Sequence, residues 1–393
     1  GGAIYNDVGA NCVLSNSTIS GNLAQGGRGG NGTFHQGSGT TASPGGSGGG
    51  AGGNAGGSNG AGGPGSWGGG GGGGGSISGA GGAGGFGGGG GGGGASSWGG
   101  NAGPGGAAGQ YGGAGGQGCC SAGSGGGGGA GLGGGLFNRG GTIEITNCTI
   151  AFNEAIGGLG GNGWFSGPGA AGQSVGGAVF NLTGTVRIDH VLFAENVATQ
   201  GPSLFGTFDS NGGHNLVQTS TATATYIGST ANNLLNVDPL IFPLANNGGN
   251  TDTHLLEACN PISPAINAGD FAFALTLDQI GQSRSGLPEI GSLEIIASSV
   301  LLLPADTTLC FGQSILLDVT SDDSAYEWND LSTDPTLFVD QAGTYSVTIT
   351  QNGCDYFDEI VVEYNPLETI DLGEDQTLCP NTTLLLDAGV PGA

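Results

Sequence analysis

A short unit recurs three times along the chain, and it limits the folds that the chain can adopt. Each copy opens on two glycines, at Gly1, Gly134 and Gly176, and ends on an asparagine about 20 residues later. Between these points, alternating runs such as 142–146 and 185–189 place Ile and Val on one face. One unit cannot bury that face alone, whereas stacked units can. The repeat therefore predicts an all-β chain with a right-handed parallel β-helix, that is, a solenoid.

A β-sandwich built from the same short strands is the alternative, but it gives no reason for the unit to return in register. We assign residues 1–24 and 133–200 to rungs of the β-helix. The asparagines that end the units are expected to stack and to hydrogen-bond through their side-chain amides along one turn of the solenoid. This predicted asparagine ladder consists of Asn22, Asn153 and Asn196.

Glycine is concentrated in one insertion between the first and second units, at residues 25–132. The chain has 96 glycines in 393 residues, about three times the usual share. Residues 26–135 contain no acidic residue and a single arginine, Arg28, so this segment cannot form an ordinary core. Two interpretations remain open: a flexible low-complexity loop, or a bundle of extended polyglycine helices with three residues per turn. The expected apolar pins of such a bundle are Trp67, Phe86, Trp98 and Tyr111.

The charge balance excludes several partners. The chain carries 4 Lys and Arg against 30 Asp and Glu, for a formal net charge of −26. Nucleic acids and anionic membrane surfaces both require a cationic patch, which this chain lacks. No apolar run approaches the roughly 20 residues of a membrane helix, so no direct membrane insertion is expected.

Eight cysteines occur without any C-x-x-C pair, which argues against zinc or a redox centre and favours disulfides in an extracellular compartment. The partners of Cys12, Cys119, Cys120, Cys148 and Cys259 cannot be deduced from their spacing.

Residues 201–299 contain several ordered motifs: N-N-G-G-N-T-D-T-H-L-L from Asn246, S-P-A-I-N-A-G-D from Ser263, D-Q-I-G-Q-S-R from Asp278 and E-I-G-S-L-E from Glu289. Together they resemble the choice-of-anchor Q region of bacterial surface β-helix proteins, with Ile280 where that family usually has Arg and Glu289 where it usually has Asp. The resemblance implies a cap on the C-terminal end of the solenoid, which shields the last rung from edge pairing. The residues that carry the motif are Asn247, Gly248, Gly249, Thr251, His254, Ser263, Pro264, Ala265, Gly269, Asp270, Asp278, Gln279, Gly281, Arg284, Gly291 and Glu294.

Short alternating strands around a central Trp328 follow at residues 300–366 and suit an immunoglobulin-like β-sandwich, with a disulfide expected between Cys310 and Cys354. A second, truncated copy begins at 367–393, where T-L-C and L-L-D return. Tandem domains of this kind resemble those of secreted surface proteins of gliding Bacteroidota, which implies export by the type IX secretion translocon.

Candidate catalytic and metal-binding residues are sparse. Glu144 and Asp189 are the nearest pair of carboxylates by register, and Arg187 could act as a base, but solvated surface charges and ion pairs explain all three better. The histidines His35, His190, His214 and His254 are each expected to make structural hydrogen bonds. Calcium is conceivable at Ser321-Asp322-Asp323, and no other cofactor is expected.

The sequence thus predicts a non-enzymatic, secreted or cell-surface adhesion protein that binds an extracellular surface or glycan through loops presented on a rod. A β-helix polysaccharide lyase or glycoside hydrolase is the alternative. A third hypothesis is that the glycine-rich segment binds ice or a glycan lattice through a flat face.

Overall fold

The structure is a computed structural model that describes residues 2–32, 52–57, 59–96, 101–120, 122–210, 212–228, 230–259, 261–284, 286–295, 303–321, 324–351, 354–366, 372 and 374–386. These residues form strands, turns and extended segments but no α-helix, so the fold is all-β. No helix in this part of the chain is long and apolar enough to cross a membrane. The chain divides into two compact units between residues 296 and 297.

The first unit is built from short strands that stack in parallel, rung upon rung. Its strands are β1 (Ile4–Asn6), β2 (Asn11–Ser15), β3 (Thr18–Ser20), β4 (Leu23–Gln25), β5 (Gly131–Leu132), β6 (Leu136–Asn138), β7 (Thr142–Thr146), β8 (Thr149–Ala151), β9 (Glu154–Ile156), β10 (Ser174–Val175), β11 (Val179–Asn181), β12 (Thr185–Asp189), β13 (Leu192–Ala194), β14 (Leu204–Asp209), β15 (Leu216–Val217), β16 (Ala224–Ile227) and β17 (Leu234–Leu235).

Three parallel sheets run through the rungs and give the unit a solenoid-like architecture. The first contains β1, β6, β11 and β14, the second β2, β7, β12, β14 and β16, and the third β3, β8, β13, β15 and β17. Strand β14 pairs with both β11 and β12, so it joins the first two sheets. The repeated units therefore stack in register rather than lying on separate sheets.

The interior between the three sheets is apolar because alternate residues of each strand point inward. Ile143, Ile145, Ile150 and Phe193 are fully buried there. Each such side chain stabilises the fold by about 1.5–3 kcal/mol relative to exposure.

Residues 26–130, as far as they are described, and 157–173 form what we call the glycine bundle. They run as extended segments that hydrogen-bond to several neighbours through every third backbone amide. Gly103, Gly106 and Gly109 donate to the carbonyls of Gly94, Gly91 and Gly88 at 3.0, 2.7 and 3.1 Å. A repeat of three residues per bond is that of the extended three-residue helix. Of the two interpretations of the glycine-rich insertion, the described residues therefore support the ordered bundle.

Contacts between these segments explain why they are glycine. A Cβ on Gly106 would lie 2.0 Å from the carbonyl oxygen of Gly82, and one on Gly103 would lie 1.9 Å from that of Gly79. Larger side chains stand where a segment faces outward, as at Gln110, which is exposed, whereas the few side chains buried in the bundle are small, such as Ala95 and Ser124. Glycine at every third position thus marks the inward face of each outer segment.

Residues 238–295, which we call the flank segment, contain the motifs that led us to expect a cap on the end of the solenoid. The segment lies along the outer face of the third sheet and reaches the first rung, where Thr18 Oγ1 donates to Gln279 Oε1 at 2.7 Å. The physical reason is that this outer face is itself apolar: Leu192 and Leu216 pack against Leu256 and Ile290.

The second unit contains β18 (Thr307–Cys310), β19 (Ile315–Asp318), β20 (Ser324–Trp328), β21 (Thr336–Val339), β22 (Gly343–Gln351) and β23 (Cys354–Asn365). A four-stranded sheet has the order β18-β23-β22-β20, and β19 pairs with β21. Trp328 is the largest buried side chain of the core that these strands enclose. Among the described residues of the predicted second copy, 372 and 374–386, no strand forms.

The expected disulfide between Cys310 and Cys354 is not formed, because Cys310 is an exposed free thiol. Strand β18 pairs in parallel with β23, which places Cys310 beside Asn365 at the far end of that strand from Cys354. Eleven residues of strand separate the two positions, on the order of 36 Å, whereas a disulfide needs Cα atoms within about 7 Å. Cys12, Cys119, Cys120, Cys148 and Cys379 are also free.

Candidate functional site at the tip of the glycine bundle

One end of the glycine bundle is fixed to the solenoid by aromatic rings. Its turns carry Trp67, Phe86 and Tyr111, whose rings continue into a stack on the outer face of the first sheet. Trp67 stacks on Phe86 with centroids 4.1 Å apart, and Tyr111 meets the ring of Phe180 edge-on at 5.4 Å. Arg139 lies 4.2 Å above the Trp67 ring. Three of the four predicted pins thus act as anchors, while Trp98 lies outside the described residues.

The opposite end of the bundle is made of turns at 76–79, 119–122 and 163–166. Hydrogen bonds connect these turns to the segments beside them: Ser96 Oγ donates to Cys120 O at 2.6 Å, and Ser166 Oγ donates to Gly123 O at 3.0 Å. Because segments that are consecutive along the chain run in opposite directions, successive turns alternate between the two ends. We call the end away from the aromatic anchor the tip.

The tip exposes its apolar side chains, whereas the aromatic rings of the anchor end are partly buried against the solenoid. Trp164 and Phe165 are each 68% exposed, with ring centroids 6.5 Å apart, and Ile77 is 41% exposed. Seven or eight residues of extended segment separate Trp164 from the end of β9, which places it roughly 25 Å along the bundle. Exposed aromatic rings side by side on a rigid support are typical of a binding surface.

Of two adjacent free thiols, on Cys119 and Cys120, the first bonds to the backbone of this aromatic pair. Their sulfur atoms are 2.8 Å apart, and the Cys119 thiol donates to Phe165 O at 3.0 Å. The neighbouring thiol of Cys120 raises the pKa of Cys119, so this thiol stays protonated at neutral pH. Its structural effect is to fix the turn that carries the two rings.

The tip is electrically neutral, whereas the chain as a whole is strongly acidic. The described residues of its three turns are all uncharged, and no acidic residue occurs between residues 26 and 135. Without a charged side chain the tip offers no ion-pair partner, so it suits an uncharged ligand. Sequence reasoning missed this site; the signal was the pair of adjacent aromatic residues in an otherwise small-residue insertion.

The asparagines at the unit ends lie on one continuous ladder inside the solenoid. Asn22 Nδ2 donates to Asn153 Oδ1 at 2.9 Å, and Asn153 Nδ2 donates to Asn196 Oδ1 at 3.0 Å. A second ladder, which we had not foreseen, joins Asn6, Asn138 and Asn181 through hydrogen bonds of 2.9 Å between their side-chain amides.

The anchor-like motif residues come together in the flank segment as a structural network. Asp278 accepts backbone N–H groups of Ile280, Gln282 and Glu294 at 2.8–3.0 Å. Arg284 forms a buried ion pair with Glu294 at 3.4 Å and donates to Gly291 O at 2.9 Å. Burial raises the pKa of the neighbouring Glu289 to about 9, so that carboxyl is neutral at pH 7.

The rest of the motif makes backbone and turn contacts. Asn247 donates to Thr253 O at 3.1 Å, Gln279 Nε2 donates to Thr251 Oγ1 at 2.9 Å, and Gly269 N donates to Pro288 O at 2.8 Å. Ser263 and Ala265 are buried, Gly248 and Gly281 have positive φ angles, and Gly249 packs against Ile280.

The candidate catalytic residues do not form one site. Arg187 lies between Glu144 and Asp209 on the outer face of the second sheet, at 3.8 and 3.4 Å, in a row of exposed ion pairs. Asp189 was expected to be a solvated surface charge, and this is wrong: it is only 6% exposed. It lies at the end of β12, where the turn at Gly212 covers it: its carboxylate accepts the N–H of Gly212 at 2.8 Å, and burial raises its pKa.

The histidines make different contacts. His254 is hydrogen-bonded at both ring nitrogens, to Ser20 Oγ at 2.8 Å and to Phe242 O at 2.9 Å. His190 stacks on His214 with ring centroids 5.1 Å apart. His35 and the acidic loop at Asp322-Asp323 lie outside the described residues.

Comparison of the chain with models of protein families, with curated proteins and with solved structures finds no match.

Proposed function

We propose that this protein is an extracellular adhesion protein whose glycine bundle presents an aromatic tip to a neutral glycan on another surface. The observation that carries the proposal is the contrast between the two ends of the bundle. Aromatic rings at one end are packed on the solenoid, whereas Trp164 and Phe165 at the other end are exposed. A stiff support loses little conformational entropy when a ligand binds, which favours tight binding.

In this proposal the first unit is a right-handed parallel β-helix that serves as the rod. The parallel in-register rungs support it, and crossover connections between parallel strands are right-handed in about 98% of cases. The second unit would be an immunoglobulin-like stalk. The resemblance of the motifs in residues 201–299 to the choice-of-anchor Q region supports a place on a bacterial surface, and the resemblance of the tandem domains supports export as a cargo of type IX secretion.

The uncharged tip favours a neutral sugar over an acidic one. Flat aromatic rings pack against the apolar faces of sugar rings, and the Ser and Asn groups around them can bond to hydroxyls. An anionic glycan would find no cationic side chain at the tip to pair with its carboxylates.

The test is binding to immobilised neutral and acidic oligosaccharides by the protein, by a Trp164→Ser/Phe165→Ser variant and by Leu159→Ser. Leu159 is 65% exposed on the same bundle segment and serves as the matched control. We expect binding to neutral sugars that the double variant weakens at least tenfold and that Leu159→Ser leaves unchanged. Equal binding by the protein and the double variant would contradict the proposal. Cleavage of these oligosaccharides would instead support the lyase or hydrolase alternative.

A further inference from the structure

The turn at 119–122 places two thiols side by side at the surface of the tip. Cys119 and Cys120 are both free, and their sulfur atoms are 2.8 Å apart. Cys120 is exposed and Cys119 is half-buried. A small reagent in solution can therefore reach Cys120 first and find the second thiol in contact with it.

The backbone of this turn is fixed to the rest of the bundle. Cys119 N donates to Ala122 O at 3.1 Å, and Ala122 N donates to Cys119 O at 2.8 Å. The carbonyl of Cys120 accepts both the N–H and the hydroxyl of Ser96, at 2.9 and 2.6 Å. A chemical change at the two sulfur atoms therefore leaves this turn in place and acts on the groups that the sulfur atoms contact.

One of these groups belongs to the turn that carries the aromatic pair. The Cys119 thiol donates to Phe165 O at 3.0 Å, and Ser166 Oγ holds the same turn through its bond to Gly123 O. The first bond exists only while Cys119 carries its hydrogen, since a sulfur without hydrogen can only accept. Loss of that hydrogen would bring two acceptors to 3.0 Å from each other, and they would repel. The oxidation state of Cys119 is thus coupled to the position of the Phe165 carbonyl.

We propose that Cys119 and Cys120 form a thiol–disulfide switch, which a small disulfide of the glutathione type oxidises and which loosens the turn of Trp164 and Phe165 when oxidised. The thiolate of the exposed Cys120 attacks a sulfur of the small disulfide, which forms a mixed disulfide and releases one small thiol. Cys119 then loses its proton to solvent and attacks the Cys120 sulfur, which forms the protein disulfide and releases the second small thiol. Two protein S–H bonds are replaced by one S–S bond, and the small disulfide is reduced to two thiols.

A disulfide between adjacent cysteines is easily reversed, as a switch requires. Neighbouring Cα atoms are about 3.8 Å apart, closer than the usual span of about 4.4–6.8 Å in disulfides. Strained and exposed disulfides are the ones that small thiols reduce most easily. The device needs no C-x-x-C pair. Its effect on binding rests on the proposed function: adhesion through Trp164 and Phe165 should be strongest in reducing surroundings.

The test is incubation of the protein with oxidised glutathione, followed by peptide mass spectrometry and hydrogen exchange in the absence of sugar. Cys119→Ser and Cys119→Ala are the matched variants: neither can form the disulfide, but serine keeps a donor for Phe165 O and alanine does not. We expect the peptide that contains both cysteines to lose two hydrogens rather than to gain glutathione. The bonded amides that flank the aromatic turn, at Asn162 and Gly169, should then exchange about fivefold or more faster. Dithiothreitol should reverse both changes.

The variants separate the switch from a merely structural pair of thiols. Cys119→Ala should exchange fast without any oxidant, and Cys119→Ser should exchange slowly with and without it. Unreacted thiols or stable mixed disulfides in the parent protein would overturn the proposal, as would a disulfide that leaves the exchange unchanged. Binding to neutral sugars, measured separately, should weaken on oxidation. Absence of sugar binding in both states would contradict the proposed function alone, because mass and exchange do not depend on a sugar.

Discussion

Replacing a single glycine by alanine should reveal whether the glycine bundle is as tightly packed as its contacts indicate. Gly29 and its neighbour Gly30 offer a matched pair. A Cβ on Gly29 would lie 1.9 Å from the carbonyl oxygen of Gly126 and 2.7 Å from the amide nitrogen of Gly161, whereas a Cβ on Gly30 would meet nothing within 4 Å. Both substitutions restrict the unfolded chain equally, so only the contact in the folded state distinguishes them.

The size of the effect follows from the bonds that must break. To bring the Gly29 Cβ to an ordinary contact, the segments must separate by roughly 1.4 Å. That shift would disrupt the bonds from Gly29 N to Leu159 O, from Gly126 N to Gly30 O and from Gly161 N to Gly126 O, each 2.8 Å long. At about 1 kcal/mol for each bond, and more where water cannot replace it, Gly29→Ala should cost about 3–5 kcal/mol. Gly30→Ala should be neutral or stabilise by up to about 1 kcal/mol.

Hydrogen exchange followed by mass spectrometry is the suitable assay, because it reports opening of the bundle separately from the solenoid. In Gly29→Ala, the amides of 26–32, 122–130 and 157–163 should exchange about a hundredfold or more faster, while those of the solenoid strands keep their protection. Gly30→Ala should match the parent protein. If the two variants exchange alike, the segments are not packed as the contacts require, and the reasoning from glycine spacing fails.

Three further predictions concern the solenoid and the second unit. Asn153→Ala should lower the free energy of unfolding by about 3–5 kcal/mol in urea titrations, because it leaves several ladder partners buried and unsatisfied, whereas the exposed Val13→Ala should have little effect. Since the pKa of Glu289 is raised to about 9 in the folded state, its contribution to stability is complete below about pH 4.5 and is lost as the pH rises towards 9. Glu289→Gln should therefore be less sensitive than the parent protein to a change from pH 5 to pH 9, and identical pH profiles would contradict the assignment. Cys310→Ser should leave the free energy of unfolding unchanged, and Cys310 should react with maleimide in the native protein. A fall of about 2–4 kcal/mol in the free energy of unfolding would indicate a disulfide instead.

Much of the first unit could be predicted from its sequence because the signals are local and repeated. The double glycines, the inward Ile and Val residues and the terminal asparagines recur in register, and their stacking follows from the need to cover one apolar face. Trp67, Phe86 and Tyr111 were recognisable as pins because they are rare large side chains in a segment of glycine.

Contacts between distant segments could not be predicted in the same way. Nothing near Asp270 in the sequence indicates that it meets His190 and His214, since the flank segment crosses the rungs at an angle that strand patterns do not encode. The burial of Asp189 depends on a turn that supplies the N–H of Gly212. The separation of Cys310 from Cys354 depends on the parallel pairing of β18 with β23, which cysteine spacing does not reveal.

The alternation of turns between the two ends of the glycine bundle separates folding from display. The aromatic rings that pack the bundle against the solenoid lie in one set of turns, and the exposed side chains of the tip lie in the other. Substitutions at Ile77, Trp164 or Phe165 therefore leave both the anchor and the glycine contacts intact. Such a scaffold can diversify what it recognises, position by position, at almost no cost in stability.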